Sequence, residues 1–236
     1  MQFRPVLLCL ALLSSSVSAL AGDTHAFDLF NLKGIKLASA SYTVDSSKKG
    51  IKVHSKTIYE SKASGANHTV DYAIGTDGLL DSATVQNIED HILTFYSPSK
   101  TNDALTIRTM KGTTPTGERK IALPTPEYII AFQDDPSAWQ VLMDTISAHP
   151  HDDHIYRLLV PATAKVSDRI EPFRLSPHSE STGTLDGKPI PLKHYVLTFN
   201  AGSSDIYTDA DGKLMQARIK PLGVHHVRSN FALDGK

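Results

Sequence analysis

The chain has 236 residues, with 24 Lys and Arg against 25 Asp and Glu, a formal net charge of −1 and 40% hydrophobic residues. These values are typical of a globular protein and exclude a disordered or fibrous chain. The balanced charge offers no electrostatic basis for binding nucleic acid or an anionic membrane. Because Cys9 is the single cysteine, an intramolecular disulfide and a multi-cysteine metal centre are excluded as well.

Residues 1–21 have the pattern of a secretory signal peptide. Arg4 supplies a positive start, an apolar run follows from Pro5 to Leu13, and Ala19-Leu20-Ala21 fits a cleavage site with small residues. The apolar run is too short to cross a bilayer, and no later stretch is long enough, so no transmembrane segment is expected in the mature chain. The sequence therefore predicts cleavage near Ala21 and export to the periplasm or the extracellular space. The alternative is an uncleaved N-terminal strand or anchor.

Alternation with a period of two dominates the chain after residue 22. In Ile51–Tyr59, apolar or β-forming residues alternate with Lys52, His54 and Lys56, as in a strand with one solvated face. Ten further runs have a similar composition: Phe27–Leu29, Leu37–Val44, Val70–Ile74, Ile92–Tyr96, Leu105–Thr109, Ile170–Leu175, Tyr195–Phe199, Ile206–Thr208, Leu214–Ile219 and Val224–Phe231. We expect ten to thirteen antiparallel strands, with most of residues 161–191 in loops.

Asp-Gly pairs predict tight hairpin turns at three places. They are Asp77-Gly78, Asp186-Gly187 and Asp211-Gly212, each flanked by residues that favour strands. The segments 72–85 and 206–219 also align without gaps, which indicates either an internal duplication or two similar hairpins that arose independently. Since the same alternation continues along the whole chain, residues 22–236 are expected to form a single antiparallel β domain.

One segment has helical periodicity. Asp135 suits the N-cap position, Pro136 suits the first helical residue, and His149-Pro150 favours termination. The apolar positions of the segment recur at helical spacing: Trp139, Leu142, Met143 and Ile146. The sequence therefore predicts a helix from about residue 136 to 148, packed on the inner face of the sheet.

Two features together carry a resemblance to known proteins: the N-terminal meander from Ala26 to Asp45 and the hairpin from Asp205 to Leu214. With them the chain resembles an uncharacterised class of exported bacterial proteins built on a curved antiparallel sheet. It is similar in outline to the lipoprotein-carrier half-barrels, in which one helix covers a concave apolar face. The resemblance implies a mainly β fold, a curved sheet or half-barrel with one helix on its concave face, and no particular reaction.

The segment His149-Pro150-His151-Asp152-Asp153-His154 matches the H-x-H-x-D-H motif of metallo-β-lactamase-fold hydrolases. In those enzymes the motif holds zinc, which generates hydroxide at neutral pH. Here, however, it follows a helix and leads into a strand-like run, and the βαβ alternation of that fold is absent. His149, His151, Asp153 and His154 are therefore candidate ligands for at most weak zinc or nickel binding. The alternative interpretation is a solvated loop, and no other cofactor is expected.

No serine elbow, phosphate-binding loop or cysteine nucleophile is recognisable in the mature chain. The sequence thus favours a non-enzymatic exported protein that binds a lipid or other apolar or amphipathic ligand in the concavity of its sheet. The alternatives are a metal-dependent hydrolase using the loop at 149–154, and an assembly partner using an exposed sheet edge.

Overall fold

A computed structural model describes residues 23–99, 104–123, 128–130, 132, 134–160 and 169–235. The predicted signal peptide and its cleavage site lie outside the described residues. Within them, no helix is both long and apolar enough to cross a membrane.

Seventeen strands and one α-helix are present in the described part of the chain. The strands are β1 (Thr24–Asn31), β2 (Lys36–Ser47), β3 (Gly50–Tyr59), β4 (His68–Ile74), β5 (Leu80–Asn87), β6 (Ile92–Ser99), β7 (Ala104–Lys111), β8 (Thr114–Ala122), β9 (Tyr128–Ile130), β10 (Ile155–Val160), β11 (Arg169–Pro177), β12 (Ser181–Leu185), β13 (Lys188–Phe199), β14 (Gly202–Thr208), β15 (Leu214–Ile219), β16 (Val224–Arg228) and β17 (Phe231–Leu233). The helix, α1, runs from Pro136 to Ala148, and Lys220–Leu222 forms a short 3-10 helix.

The strands form one curved sheet with a simple topology. β1 to β8 pair in sequence as an antiparallel meander, and the other side of β1 pairs with β16. From β16 the sheet continues through β15, β14, β13, β11 and β10, and the short β9 lies parallel to β10. β8 and β9 occupy the two ends and do not pair with each other in the described part of the chain, so the sheet is open and not a closed barrel.

Strand β13 is long enough to belong to two pairings. Its first half pairs with β12, and its second half, Tyr195–Phe199, pairs with β11. β12 also pairs with β17, and these two strands cover the outer face of the sheet near β14 and β15. A small second core forms there from Leu192, Tyr207, Met215 and Phe231.

The main core lies on the concave face, between the sheet and α1. Alternate residues of many strands point into it, such as Phe27 and Leu29 of β1 and Leu105 and Ile107 of β7, all at most 1% exposed. Ten of the thirteen residues of α1 are buried, so the helix contacts protein on nearly every side. The predicted fold class and the predicted helix are therefore confirmed, including the bounds of the helix.

The predicted number of strands is too low, and residues 161–191 are not mostly loop. Strands such as β8, β12 and β17 lie at edges or on the outer face, where burial does not impose an alternating pattern. The predicted run Val224–Phe231 is interrupted by a turn in which Asn230 has a φ of 61°. The hairpin at Asp186-Gly187 has positive φ at both residues, 50° and 76°, as the Asp-Gly pair predicts.

Candidate functional site

The predicted metal loop follows the C-terminus of α1, and its first histidine contacts a distant turn. His149 is the C-cap residue, and its backbone N–H donates to the carbonyl of Thr145. Its ring Nε2 donates to the carbonyl oxygen of Asp77, in the turn between β4 and β5. His149 therefore joins the end of the helix to the sheet.

The other candidate ligands have different partners. The ring of His151 packs edge-on against Tyr156 with centroids 5.0 Å apart, and the backbone N–H of His151 donates to the Tyr156 hydroxyl at 3.2 Å. Asp153 Oδ1 accepts from the backbone N–H of Ile155 at 3.0 Å, and His154 adopts a φ of 54°. These contacts order the loop between α1 and β10, in which Pro150, Asp152, Asp153 and His154 are exposed to solvent.

No three His, Cys, Asp or Glu side chains are grouped to hold a metal ion anywhere in the described part of the chain, which includes residues 149–154. The chemistry of the four side chains is still suitable for zinc, since imidazoles and carboxylates are its usual ligands. The metal site at His149, His151, Asp153 and His154 thus stays a prediction. It would require the loop to rearrange.

A polar cluster surrounds the start of α1 and was not anticipated from the sequence. We call it the helix-entry cluster; its members are Tyr59, His68, Tyr72, Asp134, Asp135 and Ser137. The hydroxyl of Tyr59 donates to Asp134 Oδ2, and the hydroxyl of Tyr72 donates to Asp135 Oδ2 at 3.3 Å. The backbone N–H and the hydroxyl of Ser137 both donate to Asp135 Oδ1, at 3.0 and 2.9 Å. Asp135 is therefore the N-cap predicted from the sequence, and it also accepts from the sheet.

The electrostatics of the helix-entry cluster follow from its burial. Asp135 is completely buried, and this raises the pKa of its carboxyl group, although the hydrogen bonds from Ser137 and the charge of His68 act in the opposite direction. Burial and the neighbouring Asp135 likewise raise the pKa of Tyr72. His68 Nδ1 donates to the carbonyl of Ala66 at 2.9 Å, and its Nε2 lies 3.7 Å from Asp134 Oδ1.

The middle of α1 is attached to the sheet through one side chain. Gln140 Oε1 accepts from the hydroxyl of Tyr42 at 3.2 Å and from the backbone N–H of Leu214 at 2.7 Å. Its Nε2 donates to the carbonyl of Gly212 at 3.2 Å and to Asp144 Oδ1 at 2.9 Å. With the helix-entry cluster and His149, this gives α1 three side-chain attachments to strands or turns of the sheet.

Several polar atoms are buried with no hydrogen-bond partner among the described residues. They include His25 Nδ1, Trp139 Nε1, Ser204 Oγ and Thr208 Oγ1. Ser204 and Thr208 flank Ile206 at alternate positions of β14, so they share the concave face with it. Sequence reasoning missed them because a polar residue in a strand is ordinarily assigned to the solvated face. The available signal was their position two residues before and two residues after Ile206, a core residue of the same strand.

Comparison with known proteins found little. No protein-family model and no curated protein matches the chain. Two solved structures are similar. The first is a β-barrel-like protein of a domain of unknown function, DUF1849, from Brucella abortus; it has 9% sequence identity and a TM-score of 0.36, and the match covers 91% of this chain and 98% of the other. The second is a Bacteroides fragilis protein with a YmcC-like fold; it has 10% identity and a TM-score of 0.24, and the match covers 90% of this chain and 96% of the other. Similarities of this strength carry no conclusion about the activity of this chain.

Proposed function

We propose that this chain is an exported, non-enzymatic binding protein of the periplasm or extracellular space, and that it takes an apolar or amphipathic ligand between α1 and the concave face of its sheet. The observation that supports this most directly is the arrangement of α1. It lies within an open, curved sheet with ten of its thirteen residues buried. The export part rests on the signal pattern of residues 1–21.

The composition of the concave face favours an amphipathic ligand over a purely apolar one. Leaving a buried donor or acceptor unsatisfied costs about 1–3 kcal/mol. His25 Nδ1, Ser204 Oγ and Thr208 Oγ1 are such atoms. A ligand with polar atoms near one end would offer them partners, whereas a pure hydrocarbon would not.

Binding of such a ligand supplies a free energy comparable to the cost of displacing α1. Each side-chain hydrogen bond that attaches the helix contributes about 0.5–1.5 kcal/mol net. Burial of an alkyl chain gains about 0.8 kcal/mol for each CH₂ group. A chain of about ten carbons would therefore contribute roughly 8 kcal/mol, which is comparable to the sum of the attachments and part of the helix packing.

Native mass spectrometry of the untagged protein, purified from its own cells, tests ligand binding directly. We expect a population that carries a lipid-sized adduct, and binding of a fluorescent apolar probe at a definite stoichiometry after the adduct is removed. A protein that carries no adduct and does not bind the probe at high concentration would contradict the proposal.

A reversible cross-link tests whether α1 must move. A Cβ atom at Gly78 would lie 2.8 Å from the Cβ of Ala148, closer than the 3.5–4.5 Å of a disulfide, and Gly78 has a φ of 74°, so the turn must shift outward to accept the cross-link. In the double variant Gly78→Cys/Ala148→Cys, we expect the oxidised protein to bind the probe at least tenfold more weakly than the reduced protein. The single variant Ala148→Cys serves as the control and should not respond to reduction. Equal binding by the oxidised and reduced double variant would refute the movement of α1.

A further inference from the structure

Arg228 is a cation on the concave face of the sheet. It is the last residue of β16 and lies directly opposite Phe27 of β1, whose side chain is 1% exposed in the main core. Val224 and His226, at alternate positions of the same strand, are buried on that face too. Opposite residues of an antiparallel pair share a face, so Arg228 projects from the face that carries Phe27, and its guanidinium also reaches Met215 of the small second core. Its side chain is half-buried.

Within the described part of the chain, the guanidinium of Arg228 has no anionic partner. Its Nη1 donates to Met215 Sδ at 3.7 Å, and no carboxylate oxygen of the described residues lies within 4.0 Å of it. A thioether sulfur is a weak acceptor, whereas a guanidinium presents five N–H donors in a planar fork. Removing such a cation from water without a counter-charge is costly, which is why buried arginines ordinarily pair with carboxylates.

His25 supplies a second polar group beside Arg228. It lies on β1, two residues before Phe27, and its ring packs against Tyr42 with centroids 4.9 Å apart. The residue is 6% exposed, and its Nδ1 has no hydrogen-bond partner among the described residues. Burial and the charges of Arg228 and Lys213 lower the pKa of His25, so at neutral pH its neutral ring can donate or accept one hydrogen bond.

The acidic groups nearby are already engaged. Asp23 lies 3.4 Å from the ammonium of Lys213. Asp209 Oδ1 accepts from the backbone N–H groups of Asp211 and Lys213, at 3.0 and 2.8 Å. Asp144 accepts from Gln140. None of these carboxylates forms an ion pair with Arg228, although all three lie in the same part of the molecule.

We infer that Arg228 and His25 bind the anionic head group of the ligand, which is then a single-chain amphiphile with a carboxylate or phosphate head. This inference rests on the proposed function, because it assigns a head-group site to the same concave face. The guanidinium fork matches two oxygens of either head group. His25 Nδ1 donates to one of these two oxygens or, in a phosphate, to a third oxygen. The half-exposed position of Arg228 keeps the head group near solvent while the alkyl chain extends toward Phe27 and Leu29.

Displacement of a fluorescent apolar probe at pH 7.5 by decanoate, decyl phosphate and decanol tests the inference. We expect one or both anionic amphiphiles to bind more tightly than decanol, and the tighter of the two identifies the head group. Arg228→Ala should weaken binding of the anionic amphiphiles about tenfold, as loss of a charge-assisted hydrogen bond predicts, and leave decanol unchanged. The matched control is Arg174→Ala, which removes one positive charge at an exposed position of β11.

The outcomes separate this inference from the proposed function. Equal binding of decanoate, decyl phosphate and decanol by the wild-type protein would overturn the head-group site and leave the proposed function intact. So would an Arg228→Ala variant that folds, by its circular dichroism and melting curve, and keeps the preference for the anionic amphiphiles. Failure of all three amphiphiles to displace the probe would overturn both.

Discussion

Asp135 can be recognised as an N-cap from the sequence, but the pKa of its carboxyl group depends on its surroundings in the fold. The sequence predicts an N-cap, and the structure confirms it, with a φ of −107° and a hydrogen bond from the backbone N–H of Ser137. The sequence does not indicate that the carboxyl group is fully buried. Nor does it show that Tyr72, from a strand far away along the chain, donates to the same group. The raised pKa of Asp135 follows from that burial.

The pH dependence of stability should reveal the raised pKa of Asp135. Because the folded-state pKa lies above the usual 3.8, the folded protein takes up this proton before the unfolded chain does. The contribution of Asp135 to stability therefore increases as the pH falls through the raised value, and it levels off below 3.8. Relative to Asp135→Asn, which keeps an N-capping side chain, the wild-type protein should gain stability between pH 7 and pH 4 in urea denaturation. Asp152→Asn, at an exposed loop position, is the control; a constant difference between wild type and Asp135→Asn would contradict the expectation.

The histidines of the loop after α1 should contribute more to stability than to metal binding. His149→Ala removes the hydrogen bond to the Asp77 carbonyl, so we expect a loss of about 1 kcal/mol in the free energy of unfolding. Titration calorimetry with zinc at pH 7.5 should show at most weak binding, which disappears in the His149/His151/His154 triple alanine variant. Tightly held stoichiometric zinc in the purified protein would reverse this expectation and favour the hydrolase.

At the scale of elements, two similar hairpins contact the helix. The segments that align in sequence, 72–85 and 206–219, cover the turns and adjoining strand residues of the hairpins β4–β5 and β14–β15. Both hairpins have a register shift at the equivalent place, after Ala73 in one and after Tyr207 in the other. The turn of the first hairpin contacts the C-terminus of α1, and the turn of the second contacts Gln140. The likeness in sequence thus extends to backbone geometry, and both origins, duplication and convergence, predict it.

Gln140 should be the most costly polar residue of α1 to replace. Gln140→Met keeps the length of the side chain but leaves the hydroxyl of Tyr42 and the N–H of Leu214 without their acceptor. We expect a loss of about 2–3 kcal/mol in the free energy of unfolding, measured by urea denaturation. Ser147→Ala is the matched control, because Ser147 is exposed and bonds only within the helix, to Met143; it should change stability by less than about 0.5 kcal/mol. Similar losses in both variants would show that Gln140 does not attach the helix.

For the whole molecule, the pairing of β1 with β16 joins the two halves of the chain. It connects the N-terminal meander to the C-terminal strands, so α1 packs on a surface to which both contribute. A chain divided into independent domains would not need this long-range pair. The single domain predicted for residues 22–236 stays a prediction that unfolding experiments can test.

Unfolding should therefore occur in one cooperative transition. Trp139 is the single tryptophan and is completely buried beneath the sheet, so its fluorescence reports the core directly. Far-ultraviolet circular dichroism reports the strands throughout the molecule. We expect the two urea denaturation curves to coincide. A second transition seen by circular dichroism alone would indicate that part of the sheet folds independently.

The sequence by itself determined the class of the fold, the bounds of α1 and the positions of the Asp-Gly turns. Each depends on local physics: alternation with a period of two, helical spacing with a cap and a proline, and residues that accept positive φ. It could not determine the edge strand β8, because Thr114–Ala122 is mostly exposed and has no alternating pattern.

Only the tertiary structure decided which polar side chains meet. Tyr59 and Asp134 are 75 residues apart, and Phe27 and Arg228 are paired although they lie at opposite ends of the chain. Alternation indicates which residues of one strand share a face of the sheet. It does not indicate which strand is the neighbour or what covers that face. The helix-entry cluster, the attachment through Gln140 and the position of Arg228 beside His25 all depend on the long-range pairing of strands and on the placement of α1 against them. The contacts of His149, His151 and Asp153 in the loop at 149–154 likewise depend on the folded chain, and the metal site there stays a prediction.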